Sequence, residues 1–153
     1  MTGFEPVEIL LAEDNEADAE MTIRSLKRNN LANRLVWVKD GAEALDFIFR
    51  RAGYQNRAPG LPKLLLLDLK MPKIDGIEVL RQVKSNEDTR SMPVVVLTSS
   101  AEERDIVASY SLGVNSYVVK PVDFGHFADE VAKAGCYWVL VNRVPGDAAA
   151  IER

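Results

Sequence analysis

In the segment KLLLLDLKMPKIDG, residues 63–76, four consecutive leucines run straight into an aspartate and then into a loop. Leu64 to Leu67 form a continuous apolar run, which is typical of a strand covered on both faces in a parallel sheet. Pro72 and Gly76 then shape a turn into a helix. Because a carboxylate resists burial, Asp68 at the end of this run predicts a role at the rim of the sheet.

Four more short apolar runs share this character, and each is followed by a polar junction. Between the runs, apolar residues recur at intervals of three and four, which predicts amphipathic helices. A fifth helix is predicted after the last run, from about Phe124 towards Val141. Five strands alternating with five helices predict an α/β fold with a doubly wound parallel sheet. The four further strands are Val7 to Ala12, Leu35 to Val38, Val94 to Leu97 and Tyr117 to Val119.

Punctuating residues predict where some of these elements end. We expect Ser100 to cap the fourth helix, because Glu103 lies three residues later, and we expect Gly113 to end it. The stretch RRAGYQNRAPGLPK, residues 50–63, holds two glycines and two prolines. It is therefore predicted to be an extended surface loop.

The composition limits the class of protein. The 153 residues are 47% hydrophobic and 27% charged, the balance of an ordinary globular protein, and we predict a single domain over residues 1–153. The net charge of -4 offers no basic field for nucleic acid. No apolar run is as long as a membrane span, no lysine or arginine occurs in the first twenty residues, and Cys136 is the one cysteine. We therefore expect a cytoplasmic protein.

Polar side chains follow four of the five predicted strands where ligands of open α/β sheets bind, at the carboxyl ends. Strand one is followed by Glu13 and Asp14, strand three by Asp68, strand four by Thr98 and strand five by Lys120. Strand two ends in the less informative KDG. The sequence thus predicts three carboxylates, a hydroxyl and an ammonium at one rim.

Three converging carboxylates repel one another, so we expect a cation between them. Mg²⁺ is the natural choice, because it prefers carboxylates together with water and phosphate oxygens. An aspartate beside both Mg²⁺ and a lysine is suited to accept a phosphoryl group. Singly, each residue also has an ordinary structural explanation: Asp14 as a helix cap, Asp68 as a turn cap and Lys120 as a solvated charge.

These motifs resemble the receiver domain of two-component response regulators over about residues 6–141, which leaves 142–153 as a C-terminal tail. The matching pieces are ILLAEDN, LLLLDLKMPKIDG, VVVLTSS and GVNSYVVKP. The resemblance implies the flavodoxin-like receiver fold with strand order 2-1-3-4-5. It also implies a phosphoacceptor switch rather than an enzyme, one that takes its phosphoryl group from a histidine kinase. Its only reactions would be its own self-catalysed phosphorylation and dephosphorylation.

Carried over residue by residue, the resemblance implies that Asp68 is the phosphoacceptor. Asp14, Asp68 and the backbone carbonyl of Lys70 would hold Mg²⁺, and Glu13 would complete the acidic pocket directly or through water.

The resemblance also assigns roles on the last two strands. Lys120 would bind the phosphoryl group. Thr98 and Tyr117 would form a switch pair, in which the hydroxyl moves to the phosphoryl group and the aromatic ring turns into the space left behind.

A narrower likeness is to single-domain response regulators associated with bacterial phytochromes. It is carried by the 50–63 loop, by the run VVVLTSSAEERDIVASYSLGVNSYVVKPVDF and by the late aromatic segment CYWVLV. It implies a light-sensing histidine kinase as partner and a homodimer. Tyr137 and Trp138 would then contribute to a dimer or partner surface.

Two functions of other classes use similar parts. A phosphohydrolase with an aspartyl-phosphate intermediate would use Asp68, Mg²⁺ and Lys120, but such enzymes commonly need an acid where this chain has Lys70. A flavin-binding electron carrier needs a hydroxyl- and glycine-rich phosphate loop after strand one, where this chain has the acidic EDNEADAE.

Overall fold

The computed structural model of the chain describes residues 7–29, 31, 34–120 and 129. Strands and helices alternate throughout these residues. The elements are β1 (Ile9–Ala12), α1 (Glu16–Arg28), β2 (Leu35–Val38), α2 (Gly41–Ile48), β3 (Leu64–Leu67), α3 (Gly76–Ser85), β4 (Val94–Thr98), α4 (Glu103–Ser111) and β5 (Ser116–Val119).

The five strands form one parallel sheet in the order β2-β1-β3-β4-β5, which confirms the predicted topology. The central strand, β3, is paired on both edges and its four leucines are buried. Ala12 of β1 pairs with Leu67 of β3, so the chain leaves both strands at the same level of the sheet. This register places Glu13 and Asp68 side by side.

The core lies on both faces of the sheet, because successive strand residues point to opposite sides. Leu65 and Leu67 pack with apolar residues of α2 and α3, whereas Leu64 and Leu66 pack with Ala19 and Leu26 of α1. The continuous apolar runs of β1, β3 and β4 therefore correspond to strands buried on both faces, as the sequence predicts, whereas β2 and β5 at the edges of the sheet are partly exposed.

Three strand boundaries differ from the prediction. Residue 7 lies outside β1, which begins at Ile9 because that is the first residue paired with both neighbouring strands. Strands β4 and β5 each gain one residue, Thr98 and Ser116, because both take part in the ladder between these strands. Thr98 therefore belongs to a strand rather than to the junction after it.

The cap predicted for the fourth helix is wrong at one end and confirmed at the other. The N-terminal boundary residue is Glu102, whose side chain makes no capping hydrogen bond, and the Ser100 hydroxyl instead donates to Asp105 Oδ2 at 2.5 Å. Gly113 ends the helix with a φ of +99°, a conformation that glycine adopts without steric cost. The N–H of Val114 donates to the carbonyl of Ser109, as in a Schellman motif.

The predicted loop at residues 50–63 holds neither helix nor strand. It is nevertheless held tightly, because the Arg57 guanidinium donates to four backbone carbonyls at 2.6–3.1 Å. Two of these carbonyls, those of Phe47 and Ile48, belong to the end of α2. The loop therefore has a defined conformation that these hydrogen bonds fix against α2.

The predicted fifth helix lies almost wholly outside the described residues; within it, Asp129 is helical and exposed. The tail at 142–153 also lies outside them. None of the helices in the described part of the chain has the length and apolar character needed to cross a membrane.

Candidate functional site

Three carboxylates meet at the carboxyl edge of the sheet. Glu13 and Asp14 follow β1, Asp68 follows β3, and each of the three contributes an oxygen within 4.8 Å of the others. Glu13 and Asp68 are buried, with 2% and 6% of their surface exposed, whereas Asp14 is exposed. The structure therefore brings together the three acids that the sequence predicts, with one of them facing solvent.

The Lys120 ammonium lies among these acids. The end of β5 places it there, since the N–H of Lys120 donates to the carbonyl of Thr98 at 2.8 Å. Its Nζ is 2.5 Å from Glu13 Oε1, 2.9 Å from Asp18 Oδ2 and 3.4 Å from Asp68 Oδ2. One cation thus serves three carboxylates, which leaves a net negative charge at the site.

The protonation of the site reflects both burial and the neighbouring charges. Burial raises the pKa of Glu13 to about 7, and the hydrogen bonds from Lys120 and from the Asn15 N–H only partly oppose this effect. Burial lowers the pKa of Lys120, but the Glu13 and Asp18 carboxylates outweigh it and raise that pKa above its ordinary value. Lys120 therefore stays charged, and the edge of the sheet favours any additional cation.

The donor set fits a divalent cation. Clustered carboxylate oxygens are hard ligands of the kind that Mg²⁺ and similar ions prefer. The main chain of Lys70 lies against the same acids, because its N–H donates to Asp68 Oδ1 at 3.4 Å. The Lys70 side chain points elsewhere, with its ammonium 3.5 Å from Asp105 Oδ2.

The loop from Asp68 to α3 is positioned by a close approach of two backbone segments. A Cβ atom at Gly76 would lie 2.3 Å from the carbonyl oxygen of Asp68, so only glycine allows α3 to start here. The N–H of Gly76 donates to the carbonyl of Leu69 at 2.8 Å. This contact gives a physical reason for the glycine at the end of the opening segment.

Thr98 and Tyr117 border the site on adjacent strands. Thr98 is fully buried, and its hydroxyl oxygen accepts from the N–H of Ser100 at 3.3 Å. The half-buried Tyr117 donates its hydroxyl to the carbonyl of Ser100 at 2.8 Å. Burial raises the pKa of Tyr117, which keeps this donor protonated. Both predicted switch residues therefore contact the main chain of the same residue.

A polar chain continues from Ser100 to the loop after β3. Its hydroxyl donates to Asp105 Oδ2, and that oxygen also faces the Lys70 ammonium. The hydrogen bond from Ser100 lowers the pKa of Asp105, so the carboxylate remains charged at neutral pH. The start of α4 is thereby connected to both Tyr117 and the segment that follows Asp68.

Two residues at the site were missed in the sequence. Asp18 lies in the first turn of α1 and contacts Lys120, although its position within an acidic helix start gave no separate signal. Trp37 donates its indole N–H to the carbonyl of Glu13 at 2.8 Å from the end of β2, the strand that seemed uninformative. The helix cap proposed for Asp14 is instead supplied by Asn15, whose side chain accepts from the Asp18 N–H.

Tyr137 and Trp138, predicted at a dimer or partner surface, lie outside the described residues.

Comparisons with known proteins agree with this arrangement. The family model for the response regulator receiver domain matches residues 9–132. The probable methanogenesis regulatory protein FilR2 of Methanothrix harundinacea is 42% identical over 144 residues, which cover 94% of this chain and 91% of FilR2.

Solved structures give the same result. The bacteriophytochrome response regulator RtBRR is 48% identical with a TM-score of 0.81, over 97% of this chain and 90% of RtBRR. The Mn²⁺-bound form of Rcp1, a response regulator of Synechocystis, is 38% identical with a TM-score of 0.73, over 92% of this chain and 99% of Rcp1. Each likeness extends over nearly the full length of both chains.

Proposed function

Because the chain belongs to the response regulator receiver domain family, we propose that Asp68 accepts a phosphoryl group from a sensor histidine kinase. Receiver domains are phosphoacceptor switches that work with such kinases. The observation that carries the proposal is the meeting of Glu13, Asp14, Asp68 and Lys120 at one edge of the sheet. A nucleophilic carboxylate, a cation and a candidate metal site then lie within one small volume.

The proposed metal is Mg²⁺, held by Asp14, Asp68 and the backbone carbonyl of Lys70, with Glu13 as a ligand directly or through water. The ion would offset negative charge on the transferring oxygens. The Asp68 oxygen forms the new bond to phosphorus, while the bond from phosphorus to the kinase histidine breaks. Lys120 stabilises the charge on the phosphoryl oxygens, which requires it to exchange part of its contact with Asp68 for the new group.

The switch is proposed to act through Ser100. A phosphoryl group on Asp68 adds negative charge and three acceptors. The Thr98 hydroxyl would move to donate its proton to them, and its oxygen would then no longer accept from the Ser100 N–H. Tyr117 would then leave the Ser100 carbonyl and turn inward. Since Ser100 also contacts Asp105, the change reaches the start of α4.

Hydrogen exchange measures this rearrangement. We expect amides between residues 99 and 106 to exchange faster after addition of a small phosphodonor and Mg²⁺. Thr98→Ala is expected to accept the phosphoryl group without that change, because it lacks the hydroxyl that leaves Ser100. Equal changes in Thr98→Ala and wild type would exclude Thr98 as the trigger.

The proposed kinase is a bacterial phytochrome. The similarity to the bacteriophytochrome response regulator RtBRR supports this proposal. FilR2 matches this chain at similar coverage, but its name refers to methanogenesis. The test is phosphotransfer from a purified bacteriophytochrome kinase, with and without red light, against a kinase of unrelated input.

The proposed homodimer is tested by light scattering, since Trp138→Ala should lower the mass if the late aromatic segment forms the interface; equal monomeric masses would refute it.

Intact-protein mass spectrometry tests the central proposal. Wild type incubated with a small phosphodonor and Mg²⁺ should gain one phosphoryl adduct, and Asp68→Asn should gain none. Asp88→Asn is the matched control, because it makes the same change at an exposed carboxylate outside the site. An adduct on Asp68→Asn equal to that of wild type would refute the proposal.

The phosphohydrolase alternative gains no support from this geometry. The position two residues after Asp68 is occupied by the exposed Lys70, whose ammonium pairs with Asp105. No acid is therefore available there to act on a leaving group.

A further inference from the structure

We infer that Trp37 is a positioning residue for the metal site, holding the main chain that carries two of its carboxylates. Its indole Nε1–H donates to the carbonyl oxygen of Glu13 at 2.8 Å. The N–H of Glu13 donates in turn to the carbonyl of Val38 at 3.0 Å. Strand β2 thus binds both the N–H and the carbonyl of Glu13.

The bond lies at the point where main-chain hydrogen bonding between β1 and β2 ends. The ladder between β1 and β2 ends with Ala12 opposite Val38. Glu13 and Asp14 come next, as the chain leaves the sheet towards α1. A side-chain donor from β2 therefore extends the restraint of the sheet by one residue, to the start of the carboxylate pair.

The hydrogen bond from Trp37 acts against electrostatic repulsion between the carboxylates. Glu13, Asp14 and Asp68 bring three carboxylates within 4.8 Å, and like charges at that distance repel. Lys120 offsets part of this charge, and without a metal ion the remaining repulsion favours a turn in which the β1 carboxylates move away from Asp68. The Trp37 bond opposes that movement, so less free energy is spent on ordering the ligands when a metal ion binds.

The indole is itself well fixed. Its ring is half-buried and packs on the apolar cluster between the sheet and α1. The ammonium of Lys39 lies 5.1 Å from the ring centroid on the outer side. A half-buried indole N–H needs an acceptor, and the Glu13 carbonyl supplies it.

This inference rests on the proposed metal-dependent function, and its test separates the two. Trp37→Phe keeps an aromatic ring and removes the donor, and Trp37→benzothienylalanine keeps both rings and removes only the N–H. Mg²⁺ affinity is measured by calorimetry without phosphodonor, and the phosphorylation rate is measured against Mg²⁺ concentration. Loss of one hydrogen bond should weaken Mg²⁺ binding roughly three- to tenfold in both variants.

A positioning role predicts a particular pattern: the half-saturating Mg²⁺ concentration rises, while the rate at saturating Mg²⁺ stays near that of wild type. Tyr54→Phe is the control, since it removes an aromatic hydroxyl that donates to Glu43 and should leave Mg²⁺ binding unchanged. If both Trp37 variants bind Mg²⁺ as wild type does, or lose thermal stability and saturating rate with unchanged half-saturation, the inference is wrong and the proposed function stands. If wild type itself neither binds Mg²⁺ nor accepts a phosphoryl group, both fail.

Discussion

Two half-buried cations at opposite edges of the sheet are held in opposite ways. Lys120, at the carboxyl edge, is surrounded by the carboxylates of Glu13, Asp18 and Asp68. Arg57, in the loop before β3 at the amino edge, donates only to neutral backbone carbonyls and lies 4.5 Å from the Phe47 ring centroid. The first arrangement leaves excess negative charge, and the second leaves excess positive charge.

The pKa values follow this difference. Burial and the nearby charge of Arg50 lower the pKa of Arg57, whereas the acids around Lys120 raise the pKa of that lysine above its ordinary value despite burial. The carbonyl cage binds the Arg57 guanidinium through neutral groups and serves the fold. A carboxylate cluster with a single ammonium can exchange or add cations, which is what a phosphoacceptor site requires.

The largest expected effect is at Lys120. Lys120→Met leaves buried Glu13 and Asp68 without a cation, so the free energy of unfolding in metal-free buffer should fall by about 3 kcal/mol. Saturating Mg²⁺ should restore much of that loss, because the ion can replace the missing charge. Urea unfolding with and without Mg²⁺ measures both, and a loss that Mg²⁺ leaves unchanged would contradict a metal site between these acids.

Arg57→Lys should lower the free energy of unfolding by less than Lys120→Met does, and Mg²⁺ should not restore the loss. A lysine cannot reach four carbonyls with one ammonium, so we expect a loss of about 2 kcal/mol in the free energy of unfolding. The increment added by Mg²⁺ should equal that of wild type, as should the phosphorylation rate of the folded protein. A reduced Mg²⁺ increment would show that the two edges are coupled.

The smallest expected effect tests whether Asp14 is a ligand of the proposed metal ion. At ten times its dissociation constant, Mg²⁺ should raise the free energy of unfolding of wild type by about 1.4 kcal/mol. Asp14→Asn should abolish this increment and have little effect without metal, since Asp14 is exposed. Differential scanning fluorimetry at matched Mg²⁺ concentrations measures it, and Asp88→Asn is the control. An undiminished increment in Asp14→Asn would remove Asp14 from the ligand set.

The parts of the fold that could be predicted are those that a local pattern of residues in the sequence indicates. Leu64 to Leu67 identify a strand buried on both faces, and the polar residues that end such strands must share one edge of a parallel sheet. Asp14, Asp68 and Lys120 were placed together on that basis alone, and the structure brings them together.

The parts that could not be predicted depend on tertiary contacts without a sequence pattern. Trp37 reaches Glu13 only because β2 and β1 pair in one register. Arg57 binds carbonyls, which every residue carries, so its role in the loop leaves no motif. Ser100 has the spacing of a helix cap, but α4 begins later than predicted, so its hydroxyl donates to Asp105 and accepts from the N–H of Glu102, the residue before the helix.

The position of the phosphoryl group can be located chemically. Wild type is treated with a small phosphodonor and Mg²⁺, the acyl phosphate is trapped by borohydride reduction, and the digested protein is mapped by mass spectrometry. We expect one reduced position, Asp68, that disappears when Mg²⁺ is chelated. Reduction at Glu13 or Asp14 instead, or an equal yield at Asp68 without a divalent ion, would contradict it.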